Sequence, residues 1–279
     1  MTERTGELRK MQVSADDTHL VQYHLPLGNE LVHMNELIGH TITVTALGEI
    51  RCVHCDKKTN KSFNQGYCYR CLITLAQCDS CIIKPEKCHY HEGTCREPEW
   101  GEKYCFSEHY VYLANTGNLK IGITRHISET VSSRWMDQGA TQALIFLKVK
   151  DRLTSGQVEM LCKAHIGDKT NWRTMLKGKP EEQDLLSVKK ALLDDIAAPL
   201  AQLQASQGED AVSFVDSRPV DITFPVLQYP EKVKSINLDK TPSFSGRLLG
   251  IKGQYLLLDD DRVINIRKYA GYQATLSVD

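Results

Sequence analysis

Nine of the ten cysteines in this 279-residue chain fall between Cys52 and Cys105, and no other feature limits the possible folds as strongly. The residues around them are largely Gly, Lys, Asp and His with little apolar periodicity, so the segment lacks the makings of a hydrophobic core. Metal coordination has to replace it. The first residues mix charged and apolar side chains without a hydrophobic core stretch, and no apolar run reaches the roughly 18 residues of a membrane helix. A protein neither secreted nor membrane-spanning is expected, located in the cytoplasm, where thiols stay reduced and clustered cysteines more often hold metal than cross-link.

Cys52-Val-His-Cys55 and Cys68-Tyr-Arg-Cys71 are two C-x2-C pairs separated by twelve residues, the spacing of a zinc ribbon. Each short turn points two thiolates at one centre, and Gly66 offers the tight turn that lets the second pair close a tetrahedron with Zn–S bonds of about 2.3 Å. Four thiolates leave no coordination position for water, so the zinc is expected to be structural. Farther on, Cys78, Cys81, Cys88, His89, His91, Cys95, Cys105 and His109 supply enough donors for another site and for a third. Cys78 and Cys81 with two of Cys88, His91 and Cys95 are the expected ligands, the pairing left open, and Cys105 is a further candidate. At least two zinc ions per chain are expected. Cys162 stands alone on an apolar helical face and reads as a buried thiol.

The rest of the chain is ordinary in bulk, with 41% hydrophobic and 25% charged residues, and is expected to fold as an α+β protein. His40-Thr-Ile-Thr-Val-Thr-Ala46 alternates as a strand. Tyr110-Val-Tyr-Leu-Ala114 and Leu119-Lys-Ile-Gly-Ile-Thr124 flank the turn residues Asn115-Thr-Gly-Asn118, which predicts a hairpin. A helix around Glu129 to Asp137, a strand from Ala143 to Val149 and a helix from Thr154 to His165, capped by Thr154 or Ser155, complete a β-β-α-β-α order. Gly139 is placed as a left-handed helix cap. A long amphipathic helix is predicted from Pro180 in its first turn, through Leu185, Val188, Leu192 and Ile196, to Gly208. Three strands follow, at Arg247–Ile251, Gln254–Leu258 and Val263–Ile266. A lone three-stranded meander is only marginally stable, so the tail is expected to share a layer or barrel with the β-rich N-terminus.

The net charge of −1 gives no global case for nucleic acid. From Tyr110 to Leu176, however, nine Lys or Arg stand against five Asp or Glu. That stretch, over Tyr110 to Asn171, resembles the GIY-YIG nuclease domain, with Tyr110-Val-Tyr112 for its first motif and Lys120-Ile-Gly122 for its second. Tyr110 departs from the first Gly of the pattern and Lys120 from the second Tyr. The resemblance implies adjacent motif strands, then Arg134 on a helix, a metal-binding Glu159 on a later helix and Asn171 closing the site. Tyr112 or Lys120 would help deprotonate a water, Arg134 would stabilise phosphoryl charge, and Glu159 would hold Mg²⁺ or Mn²⁺.

Over nearly its whole length, through Lys61-Ser-Phe-Asn-Gln-Gly-Tyr-Cys68, Cys78-Asp-Ser-Cys81, His91-Glu-Gly-Thr-Cys95, Lys120-Ile-Gly-Ile-Thr-Arg125 and Arg134-Trp-Met-Asp-Gln-Gly-Ala140, the chain is similar to a bacterial family catalogued as domain of unknown function 2797. Four regions are expected: a β-rich segment at 1–50, a zinc module at 51–109, a GIY-YIG-like α+β domain at 110–176, and an amphipathic helix with a β-rich tail at 177–279. The expected function is a zinc-stabilised phosphodiesterase acting on DNA or RNA. The alternative is a non-catalytic adaptor that binds nucleic acid or a protein partner.

Overall fold

The computed structural model describes residues 2–125 and 131–279. The chain opens with β1 (Thr2–Glu7), β2 (Gln12–Ala15), β3 (Val21–Leu27), β4 (Glu30–His33) and β5 (Thr41–Ile50). On β3 the period-two alternation buries Val21, Tyr23, Leu25 and Leu27, and the strand sits between β2 and β4 in a small antiparallel sheet. The Cys-rich stretch contributes only short helices, α1 (Tyr69–Thr74), α2 (Ser80–Ile83) and α3 (Pro98–Tyr104), with 3-10 turns between them.

The central layer begins with the expected hairpin, β6 (His109–Asn115) and β7 (Leu119–Thr124), paired from Tyr110 opposite Thr124 to Asn115 opposite Leu119. Then come α4 (Ser133–Asp137), β8 (Gln142–Val149), α5 (Arg152–Lys163), α6 (Trp172–Leu176) and α7 (Leu185–Gln207). Glu129, where the first of these helices was expected to start, lies outside the described residues. β6 lies between β7 and β8, and β9 (Val212–Phe214) and β10 (Val220–Asp221) add to the far edge of β8. Both faces of this sheet are covered, so β6 and β8 are buried along nearly their whole length. Val111, Leu113 and Ile121 pack with Val158 of α5 and with Leu192 and Ile196 of α7, while Tyr112, Ala114 and Ala143 face the main core.

Two helix starts differ from the expectation. α5 begins at Arg152, because the Asp151 carboxylate accepts from the Thr154 backbone N–H at 2.7 Å; Thr154 and Ser155 are buried inside the helix. α7 begins at Leu185 and not at Pro180, because Asp184 accepts from the Ser187 N–H at 3.1 Å. Gly208 ends α7 at φ 105°, and Gly139 follows α4 at φ 69°, both positions a side chain disfavours.

The chain closes with β11 (Lys234–Ser235), β12 (Ser243–Lys252), β13 (Tyr255–Leu258), β14 (Arg262–Asn265) and β15 (Tyr272–Val278). β12, β13 and β14 are the expected meander. They join N-terminal strands in one seven-stranded sheet, ordered β1-β15-β5-β12-β13-β14-β11, so the tail and the N-terminus form the shared layer that three strands alone could not sustain. Among the described residues no helix is long and apolar enough to cross a membrane.

Candidate active site and metal groups

Cys52, Cys55, Cys68 and Cys71 bring their sulfurs within 4.8 Å of one another, and Sγ of Cys55 lies 3.8 Å from Sγ of Cys68. The edge of a tetrahedron with metal–sulfur bonds of about 2.3 Å is about 3.8 Å, so the donor set fits and this group could hold a metal ion. The backbone is arranged for it. Val53 N–H donates to the Gly66 carbonyl at 2.9 Å, tying the two knuckles together. At Gly66, with φ 132°, an added Cβ would sit 2.3 Å from Val53 Cγ1, so only glycine permits the approach. Burial opposes ionisation of Cys52, but backbone N–H groups of Cys55, Cys68 and His54 aimed at its sulfur bring the thiol down to about 6.

A second group, Asp79, Cys81 and His89, also gathers ligand atoms within 4.8 Å and could hold a metal ion. Cys78, one residue before Asp79 at the N-terminal boundary of α2, does not join it. His91 packs edge-on against Tyr90 and Phe106. Cys88, Cys95 and Cys105 line a cavity of about 20 Å³ together with Cys81, Asp79 and His89. Cys162 is fully buried, as its apolar helical face implied.

Beside these groups runs a cleft of about 760 Å³. One wall is β7, with Lys120, Gly122 and Thr124; α4 supplies Arg134 and Asp137, with Gln138 just after its end, and α5 supplies Arg152 and Glu159. Ile82, Ile83 and Pro85 of the Cys-rich segment form another part of the lining, and Lys10 and Arg267 enter from the terminal layers. Among the described lining residues, the cations Lys10, Lys120, Arg125, Arg134, Arg152, Lys169 and Arg267 outnumber the carboxylates Asp137, Glu159 and Asp168. That excess suits a polyanion.

The side chains in this cleft are burdened by burial. Lys120 is 5% exposed, and desolvation, with Arg134 nearby, brings its ammonium down to about 8. Glu159 is 9% exposed, and desolvation raises its carboxyl above the ordinary range in spite of Lys163, whose Nζ lies 3.4 Å away. Lys163 also reaches Asp168 at 3.1 Å, so one ammonium holds both carboxylates. Tyr112 lies directly beneath Gly122, where an added Cβ would come within 2.5 Å of its hydroxyl. The phenol donates to Gln138 Oε1 at 2.9 Å, and burial pushes it up to about 12 against the pull of Arg134.

Lys120, Arg134 and Glu159 therefore line one cleft, with Tyr112 packed under its floor. Asn171 is not part of that lining; its side-chain oxygen accepts from the Arg173 and Thr174 N–H groups and caps α6. His109, counted among the metal donors from sequence, instead faces the cleft. Its Nδ1–H donates to the Ser107 carbonyl at 2.7 Å, Nε2 has no hydrogen-bond partner among the described residues, and burial takes the ring down to about 4. Asp168, Arg152 and Arg267 had no sequence signal of their own, since a lone charge in a loop or on a helix is usually solvated.

One protein-family description matches the chain, Protein of unknown function (DUF2797), over residues 39–274. The match takes in the Cys-rich segment, the cleft apart from Lys10, and most of the terminal sheet. No curated protein and no solved structure matches.

Proposed function

The chain belongs to the DUF2797 family, and from that premise we propose that it is a divalent-cation-dependent phosphodiesterase acting on DNA or RNA, with structural zinc at Cys52, Cys55, Cys68 and Cys71. The observation that carries this reading is the meeting of Lys120, Arg134 and Glu159 in one basic cleft. These are residues from β7, α4 and α5, far enough apart in sequence that only the fold joins them. Their order is the one the GIY-YIG resemblance implies.

In this reading the basic lining binds the phosphate backbone and excludes bulk water. Arg134 donates to the non-bridging oxygens as charge develops on them. Lys120, brought down to about 8, is neutral often enough near neutral pH to accept a proton from the attacking water. Tyr112 holds Gln138 in place and does not serve as the base, since its phenol is pushed up to about 12. Glu159 and Asp168 are hard oxygen donors of the kind Mg²⁺ or Mn²⁺ takes, and would hold that ion, which supplies Lewis-acid stabilisation when bound. Lys163 now balances both carboxylates and would give way to it.

The Lys163 contact also favours a second reading. If that ammonium is a permanent partner of Glu159, the cleft binds nucleic acid without cleaving it, and the protein is an adaptor. Incubating the full chain with single- and double-stranded DNA and RNA, with Mg²⁺ or Mn²⁺, separates the two. The enzyme reading expects cleavage that Glu159→Ala abolishes while salt-dependent binding persists. No cleavage of any substrate by wild type, with binding intact, moves the assignment to the adaptor; no binding at all removes both.

A further inference from the structure

We propose that the cleft takes a single, unpaired nucleic-acid strand and that the Cys-rich segment contacts its bases, Gln65 through hydrogen bonds and Ile83 through apolar packing. This rests on the nucleic-acid reading of the cleft but not on cleavage. Charge is unevenly shared over the lining. The Cys-rich segment contributes the amides Asn64, Gln65 and Gln77, the phenol of Tyr67 and the apolar Ile82, Ile83 and Pro85. Every charged side chain in the described lining comes from elsewhere in the chain. The segment is not short of charge, and Lys84 and Glu86 flank Pro85 directly, yet neither joins the lining.

Such a division matches the two sides of a single strand. Phosphates are met by Lys and Arg, whereas unstacked bases offer apolar faces and hydrogen-bonding edges that a charge does not distinguish. A duplex offers no free faces, because its bases are stacked on one another and its phosphates turn outward. The Gln65 amide is donor and acceptor at once, which the edge of a base satisfies, adenine best of the four. Ile83, on α2, is 74% exposed, the most of any large hydrophobic among the described residues, although it belongs to the lining of a polar cleft. The face of a base laid on it would take that apolar surface out of water.

The backbone holds both contacts in place. Gly66 N–H donates to the Phe63 carbonyl at 3.0 Å, and the two residues between them, Asn64 and Gln65, have φ of 40° and 65°. Asn tolerates that region and Gly prefers it, so a glutamine there adds strain that a residue without a side chain would avoid. The turn is fastened at both ends: Ser62 Oγ donates to the Ala270 carbonyl at 2.9 Å, and the Gly66 carbonyl is tied to Val53. Ile82 and Pro85 are anchored on α5. The Arg152 guanidinium donates to the Ile82 carbonyl, and Gly156 lies so close to the Pro85–Glu86 turn that a Cβ there would be 2.3 Å from Glu86 N. Contacts made from anchored backbone lose little freedom when the strand binds.

The test measures binding by the purified full-length chain, without added Mg²⁺ or Mn²⁺ so that nothing is cleaved. The probes are labelled single strands of DNA and of RNA, their matching duplexes, and an abasic DNA strand with the same number of phosphates. The better-bound single strand should exceed both its duplex and the abasic strand by about tenfold or more. Gln65→Gly, which suits the turn better than the native residue, and Ile83→Ser should each remove much of that advantage while the salt dependence stays as in wild type. A urea midpoint for Gln65→Gly no lower than that of wild type shows that the loss is not one of folding. Equal binding of abasic and base-bearing strands, tighter binding of duplex, or variants that bind as wild type does would each overturn the inference and leave the nucleic-acid reading standing. No binding of any probe overturns both.

Discussion

Lys120 owes both its usefulness and its cost to burial. An ammonium held at about 8 is a base near physiological pH, where a solvated lysine would stay protonated. If Lys120 takes the proton from water, cleavage should rise with pH and level off above about 8. Lys120→Arg keeps a positive charge that cannot be shed, so it should flatten that limb and slow the reaction by about 10²-fold, read from a pH–rate profile of each variant. Arg134→Ala should cost about 10²–10³-fold in turnover at saturating substrate, because its contribution grows as phosphoryl charge develops. Gly122 makes a different demand. A methyl group there meets the Tyr112 ring and hydroxyl, with no open space on that side, so Gly122→Ala should destabilise the protein by about 1–3 kcal/mol, measured by the urea midpoint.

Elements with a strong local signal were legible in the sequence, and those made by tertiary contact were not. The β6–β7 hairpin could be read because Asn115-Thr-Gly-Asn118 combines turn chemistry with strands of β-branched and aromatic residues on either side. The body of α7 could be read from Leu185, Leu192 and Ile196, yet its start was set five residues too early, since Pro180 mimics a first-turn proline while Asp184 provides the cap. β15 was legible but passed over: Tyr272-Gln-Ala-Thr-Leu-Ser-Val278 alternates apolar and polar residues at every position, with Ala274 and Leu276 buried, and what the alternation could not give is its place between β1 and β5. In the site, the Cys52–Cys71 group was visible because its spacing is a local property. The partners of Cys81 were not, because the Cys78–Cys81 spacing cannot say that the fold gathers Asp79 and His89 around Cys81 and leaves Cys78 out. Docking of the Cys-rich segment on α5 was equally hidden, and it depends on the missing side chain at residue 156. Gly156→Ala should push the Pro85–Glu86 turn off the helix, lower stability by about 1–3 kcal/mol and speed the release of metal to a chelator.

For the molecule as a whole, the seven-stranded sheet and the central layer enclose a lysine with no counter-ion among the described residues. Lys252, fully buried on β12, donates to the Gly178 carbonyl at 2.9 Å and lies against the faces of Phe224 and Tyr229, and burial brings it down to about 8. Between about 8 and the ordinary lysine value near 10.4 the unfolded chain binds a proton the native one has lost, so stability should increase with pH across that window. Relative to Lys252→Met, wild type should gain about 2 kcal/mol between pH 7 and pH 10, measured by urea unfolding at each pH. The same sheet sets an order of events during synthesis. Thr2 pairs with Val278 and Val44 with Leu276, so the layer begun by the earliest strands stays open until β15 has left the ribosome. The nascent Cys52–Cys71 group, whose sulfurs are close neighbours along the chain, could take up a metal ion long before that. On the proposed reading, metal supply would then act on the newborn protein first, and strand closure would come as a late, slow step that a chaperone is well placed to guard.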